Sequence, residues 1–182
     1  MDYKDLIKNW HNKASDEEYF SKFVFEYLAF IAYLKTQLYK TVARDRPAIQ
    51  KLKQDLRIKK IYLYKIQTKS SLKEDWNKIK NELDSRRHRN LSISPNNYKE
   101  FKWYNCSHNE LNEQSEEEKG KSKGVIHSLN DWENMVEFWY SIRNNLFHGA
   151  KDPEITRDQF LVEYGYKTLK ELIEILLCLN FR

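Results

Sequence analysis

The sequence predicts an all-α fold: an up-and-down helical bundle of about five helices, with a long insertion between the third and fourth major helices. Three observations lead there. Apolar residues recur at steps of three and four over several long stretches, which is the period of one helix face. Punctuation is sparse, with 4 Gly and 3 Pro among 182 residues, too little for the many turns of a β-fold. Two spacings, Ser15 to Glu18 and Asn130 to Glu133, stand in front of the strongest apolar stretches and read as capping boxes, in which each side chain serves the other's backbone N–H. A chain of this length is expected to form one domain over 1–182 with a real core.

The elements follow in order. After Glu18 come Phe20, Phe23, Val24, Tyr27, Leu28, Ile31, Leu34 and Leu38, a core-facing stripe that Phe25, Ala29, Phe30 and Ala32 widen. A helix apolar over so much of its circumference belongs at the centre. Asp45 reads as the cap of a second helix, with Pro47 in its first turn. Ile49, Leu52, Leu56 and Leu63 form the stripe of that helix, and Lys59 and Lys60 its basic flank. A third helix is expected over 72–87, with Trp76, Ile79 and Leu83 on one face. From about 90 to 124 no stripe persists, Ser and Asn recur and the charge is patchy, so this reads as an inserted loop with short structure over 98–106. Such a segment serves either as a lid or as a tolerated surface insertion. A fourth helix carries Trp132, Met135, Val136, Trp139, Ile142 and Leu146, and Gly149 ends it, since glycine takes the left-handed C′ conformation freely. A fifth runs over 156–179 behind a short link, so the last two should pack antiparallel.

Composition narrows the function classes. With 40% hydrophobic and 32% charged residues, the chain is globular rather than disordered. Its net charge of +5 suits a polyanionic partner. Over 51–69 the chain places Lys51, Lys53, Arg57, Lys59, Lys60, Lys65 and Lys69 against one acid, Asp55. Such a run is either a solvated helix face or a nucleic-acid contact. Cys106 and Cys178 lie far apart, and neither they nor His11, His88, His108 and His127 show metal-ligand spacing, so neither metal nor cofactor is expected and a reduced, cytoplasmic protein is. The first residues lack a signal-peptide pattern, and the apolar run over 23–34 is too short to cross a bilayer, so no membrane association is expected. Gly120 and Gly124, with their lysines, lack the spacing of a phosphate loop.

Chemistry concentrates at the end of the fourth helix. Arg143, Asn144 and His148 crowd its last turn. They supply a fixed cation, an amide, and an imidazole, the side chain that exchanges protons near neutral pH. Arg143 and His148 are five residues apart, hence about 140° apart around a regular helix. Asn144 and His148 share a face. Arg143 therefore meets His148 only through an unwound helix end or a second chain, and a two-fold pairing of these ends would gather two copies of each in one cleft. The competing structural reading is that His148 and Arg143 merely satisfy the last carbonyls and the dipole of their helix.

The sextet Arg143-Asn144-Asn145-Leu146-Phe147-His148 resembles the R-x4-6-H signature of the HEPN superfamily, including the polar residue directly after the arginine. The string over 142–151, with the final helix, resembles the Apea-like and related prokaryotic branches. The aromatic-rich first helix and Ala43-Arg44-Asp45-Arg46 through Asp55 are similar too. The resemblance spans about 15–179, and its specific part is ten residues long. It implies a metal-independent endoribonuclease that works as a homodimer, of toxin or antiviral-defence type, under the control of an antitoxin or another regulatory protein. It assigns His148 the role of general acid or base, Arg143 that of stabilising the charge on the phosphorane, and Asn144 that of orienting His148 or holding a phosphate oxygen. Lys151 and the basic flank of the second helix, Lys53, Arg57 and Lys60, would grip RNA phosphates. No tyrosine stands two residues beyond His148, so control by tyrosine modification is not carried over. The alternative is a non-catalytic HEPN-like module that binds a partner protein, a nucleotide or RNA.

Overall fold

Seven α-helices and one π-helical turn make up the regular structure of the described residues, with no strand among them. The structure is a computed structural model and describes residues 3–14, 18–86, 88, 124–148 and 151–179. In chain order the helices are α1 (Tyr3–Ala14), α2 (Tyr19–Tyr33), α3 (Asp45–Gln54), α4 (Leu56–Thr68), α5 (Ser70–Ser85), α6 (Trp132–Phe147) and α7 (Thr156–Leu179), and the π-turn, Leu34–Leu38, continues α2.

Two helices more than expected have identifiable causes. No long apolar stripe marks α1, which packs on α2 through Ile7 and Ala14. The expected second helix is two, because Asp55 breaks it. That residue is extended (φ −76°, ψ 94°), and its carboxylate accepts from the backbone N–H of Arg57 and Ile58, capping α4. It also accepts from the hydroxyl of Tyr39 at 3.0 Å. The apolar stripe runs on across this break, so periodicity alone conceals it.

Of the two expected capping boxes, the one at Ser15 lies outside the described residues; Glu18 is the N-cap of α2, accepting from the backbone N–H of Phe20 and Ser21 at 2.8 Å each, and the one at Asn130 does not form as read. At α6 the N-cap is Asp131, whose carboxylate takes the backbone N–H of His127 at 2.9 Å and the amide of Asn134 at 2.8 Å. Glu133 reaches instead to Lys59 on α4, 3.0 Å away. Of the inserted segment, only its last residue, Gly124, is described; the short structure expected over 98–106 lies outside the described residues. The positive φ of Gly124 (83°) brings its carbonyl to the backbone N–H of His88 at 2.9 Å. A Cβ at this position would stand 2.3 Å from the His88 carbonyl oxygen, so the close approach needs glycine. The residues flanking 89–123 are thus pinned together at one point.

The core is built on aromatic rings. Trp76, Trp132, Trp139, Tyr62 and Phe138 are fully enclosed and meet at centroid distances of 5.5 to 6.3 Å. Each buried polar tip in this group finds an acceptor. Trp139 donates to the hydroxyl of Thr168 at 2.9 Å, Trp76 to the oxygen of Tyr62 at 3.0 Å, and Trp132 to the Leu52 carbonyl at 3.1 Å. The Tyr62 hydroxyl donates to the Thr168 carbonyl at 2.7 Å. Trp139 meets Thr168 while Ile142 meets Gly165, so α6 and α7 run antiparallel. Phe23, Trp132 and Trp139 are core, as their stripes indicate, whereas Phe20 is only half-buried.

Candidate functional site

The last turn of α6 is where the sequence places the candidate chemistry, and its two halves are treated differently by the fold. His148 is the C-cap residue (φ −98°, ψ 12°), its backbone N–H bonded to the Asn144 carbonyl at 3.0 Å. Its ring is exposed and makes no hydrogen bond or ion pair with another described residue. Gly149, the expected helix stop, lies outside the described residues.

Arg143 is held from several sides. It donates to the amide oxygen of Asn144 at 3.0 Å and stands 3.6 Å from the carboxylate of Asp45. Its guanidinium lies 4.6 Å from the centroid of the Phe147 ring and 5.9 Å from that of Tyr27, within cation–π range. Asp45, in the first turn of α3, also pairs with Lys35 of the π-turn at 3.1 Å. The Tyr27 hydroxyl is buried without a hydrogen-bond partner among the described residues, and burial pushes its pKa well above the ordinary phenol value. Asn144 is itself buried, and the bond its side chain makes goes to Arg143 rather than to His148. No hydrogen bond joins Arg143 to His148, in keeping with their angular separation on α6.

The proposed phosphate grips divide two and two. Lys53 is not on a solvated flank. It is fully buried against Glu137 of α6, whose two carboxylate oxygens also both accept from Nη1 of Arg46 at 2.8 Å. The reason is visible in the spacing: Lys53 is four residues beyond Ile49, and so shares the face that α3 buries. Burial pushes the Lys53 ammonium pKa down and Glu137 pushes it back up. Lys151 is likewise enclosed, its side chain 4% exposed and bonded to Asp158. There too burial lowers the ammonium pKa and the carboxylate opposes it. Arg57 and Lys60 are exposed on α4. Their neighbour Lys59 holds Glu133, in the first turn of α6, which puts this basic face about 20 Å along the helix axis from His148.

Among the described residues, no group of three or more His, Cys, Asp or Glu side chains could hold a metal ion, and no helix is long and apolar enough to cross a membrane. No family model, curated protein or solved structure matches the chain.

At Phe147, whose ring the Arg143 guanidinium overlies, the surface opens into an apolar cavity of about 420 Å³, lined by Phe20, Ser21, Val24 and Phe25 of α2 and by Leu146 and Phe147 of α6. Sequence reasoning missed the roles of Asp45, Lys35 and Phe147. Asp45 was legible as a helix-start residue, but its pairing with Arg143 spans 98 positions and leaves no local signal. Phe147 breaks the stripe of α6 and is 54% exposed. That break, an aromatic ring off the apolar face and next to the histidine, was the available clue.

Proposed function

We propose that this chain is a metal-independent endoribonuclease of HEPN type, acting as a homodimer in a toxin or defence role. The observation that carries the reading is the arrangement at the end of α6. Arg143 is fixed by Asn144 and Asp45 with its guanidinium still partly open, while the ring of His148 faces solvent one residue past the helix. A cation held in advance costs nothing to organise when charge develops on a phosphorane. An unencumbered imidazole can take a proton from a ribose 2′-OH. In that reaction the 2′-oxygen bonds to phosphorus, the 5′-oxygen bond breaks, and the proton returned to the leaving 5′-oxygen comes from a second acid. The products are a 2′,3′-cyclic phosphate and a 5′-hydroxyl.

Because Arg143 and His148 of one chain do not meet, the second acid and the second cation are assigned to the partner copy, with the two α6 ends facing each other. Arg57 and Lys60 are retained as phosphate contacts for the flanking strand. Lys53 and Lys151 are not, since both are enclosed and ion-paired. An antitoxin or other regulatory protein would act by covering this end.

The test is cleavage of RNA by the purified protein in EDTA. Cleavage that persists in chelator and falls by about 10²–10⁴ in both Arg143→Ala and His148→Ala supports the reading. Cleavage that needs a divalent ion, or that survives in both variants, overturns it. Absence of cleavage over a range of RNAs assigns the chain to the alternative, a non-catalytic binding module.

A further inference from the structure

A ribonuclease needs more than a place for phosphate, because a single strand must also seat its bases. The cavity at Phe147 has the chemistry for that. Its walls are aromatic and aliphatic, from Phe20, Val24, Phe25, Leu146 and Phe147, with Ser21 the single hydroxyl residue among them. At about 420 Å³ it falls in the size range of small-molecule sites. Phe25 is backed by Trp10, stacked on it at 5.4 Å with the ring planes 21° apart. Phe147 is 54% exposed, which leaves ring surface available for a flat partner.

The charge nearby fits the same ligand. The Arg143 guanidinium lies over the Phe147 ring at 4.6 Å, at the boundary between the apolar walls and the open end of α6. There Arg143 and Lys35 share a single carboxylate, Asp45, so this end carries an excess of positive charge. The site thus joins an apolar slot to a positive rim, the pairing required by a ligand with a planar apolar body and an anionic group one sugar away. A nucleotide is such a ligand, and its base has a π-face whatever its sequence.

We infer that the cavity between α2 and the end of α6 is a nucleobase subsite, in which one base of the RNA stacks on Phe147 while Arg143 holds the adjoining phosphate. The inference rests on the ribonuclease reading. Because Phe147 directly precedes His148, a base seated there sets which phosphodiester reaches the imidazole. The subsite therefore sets the register of the strand at the cut, with a modest preference for the more strongly stacking bases.

Two measurements on the full chain test this. The first is binding of the four nucleoside 5′-monophosphates and of ribose 5-phosphate to His148→Ala protein. The nucleotides should bind about tenfold or more tightly than ribose 5-phosphate. Phe147→Ala should erase that difference, and Phe147→Tyr should restore it. The second is cleavage by otherwise wild-type protein of RNAs that differ only in the base next to the cut. Phe147→Ala should lower cleavage of all of these RNAs about tenfold and flatten the modest preference among them, and Val24→Trp, which fills the slot, should do the same. Equal binding of nucleotides and ribose 5-phosphate overturns the inference. So does a Phe147→Ala protein that loses its oligomeric state while keeping nucleotide affinity, which would make the cavity a subunit contact. Base-dependent nucleotide binding without any RNA cleavage sustains the subsite and removes the nuclease reading alone.

Discussion

The first three turns of α6 and its last turn belong to one helix but to two environments. In the first part, Glu137 is fully buried between Lys53 and Arg46, and Trp132, Phe138 and Trp139 are locked among the rings of α4 and α5. In the last turn, Phe147 and His148 face solvent, and Arg143 meets Asp45 only at 3.6 Å. The same residue types behave oppositely. Charges in the first part are neutralised inside the fold, where each one needs its partner. Those in the last turn remain open to meet something that arrives from outside. Burial of a charge, rather than its presence, separates the scaffold of this protein from its candidate site.

The contrast can be broken most severely at Glu137. Glu137→Ala strips the buried Lys53 of its carboxylate and Arg46 of its ion-pair partner and should cost about 3–5 kcal/mol, read by urea or thermal unfolding. Arg143→Ala should cost less than about 1 kcal/mol, because its ion pair and ring contacts are partly solvated. Similar losses at the two positions would erase the distinction. Gly165→Ala tests the border between the environments. Its Cβ would come within 2.7 Å of Ile142 and 3.1 Å of the Phe23 ring, an overpacking worth about 1–3 kcal/mol.

A smaller effect sharpens the comparison through pH. His88 packs on Phe138 at 6.1 Å. Burial first, and then the charges of Lys151 and Arg157, hold its pKa well below the ordinary value. The unfolded chain therefore takes a proton below about pH 6.5 that the folded chain refuses. Stability is full above that pH and falls with acid, by up to about 1.4 kcal/mol per pH unit. His88→Leu should flatten this dependence below about pH 6.5, and an unchanged profile would show that His88 stays open to protons. Least of all, Arg57→Ala with Lys60→Ala should shift unfolding by no more than about 0.5 kcal/mol. The pair should lower the salt dependence of RNA affinity by about 0.7 for each phosphate that is no longer neutralised.

The helical character and the aromatic core were legible because a stripe such as Trp132, Met135, Val136 and Trp139 states its own periodicity. The break at Asp55 was not, because the apolar period continues through it while a side chain ends the helix. Nor was the fate of Lys53. A lysine among lysines reads as surface, and only the distant Glu137 reveals that this one is inside. At the candidate site, the angular separation of Arg143 and His148 followed from helix geometry, and Asn144 was recognised as part of the cluster. That Asn144 serves Arg143, with Asp45 opposite, required α3 to be placed against α6.

The clustering of indoles in the scaffold has a practical consequence. Three of the five tryptophans, Trp76, Trp132 and Trp139, sit within 6.3 Å of a neighbouring indole, each with its N–H engaged. Their fluorescence is in effect a built-in gauge of whether the interior is intact. A substitution at the far end of α6 that dims activity while leaving that emission unaltered can be read as chemical rather than structural, without any label.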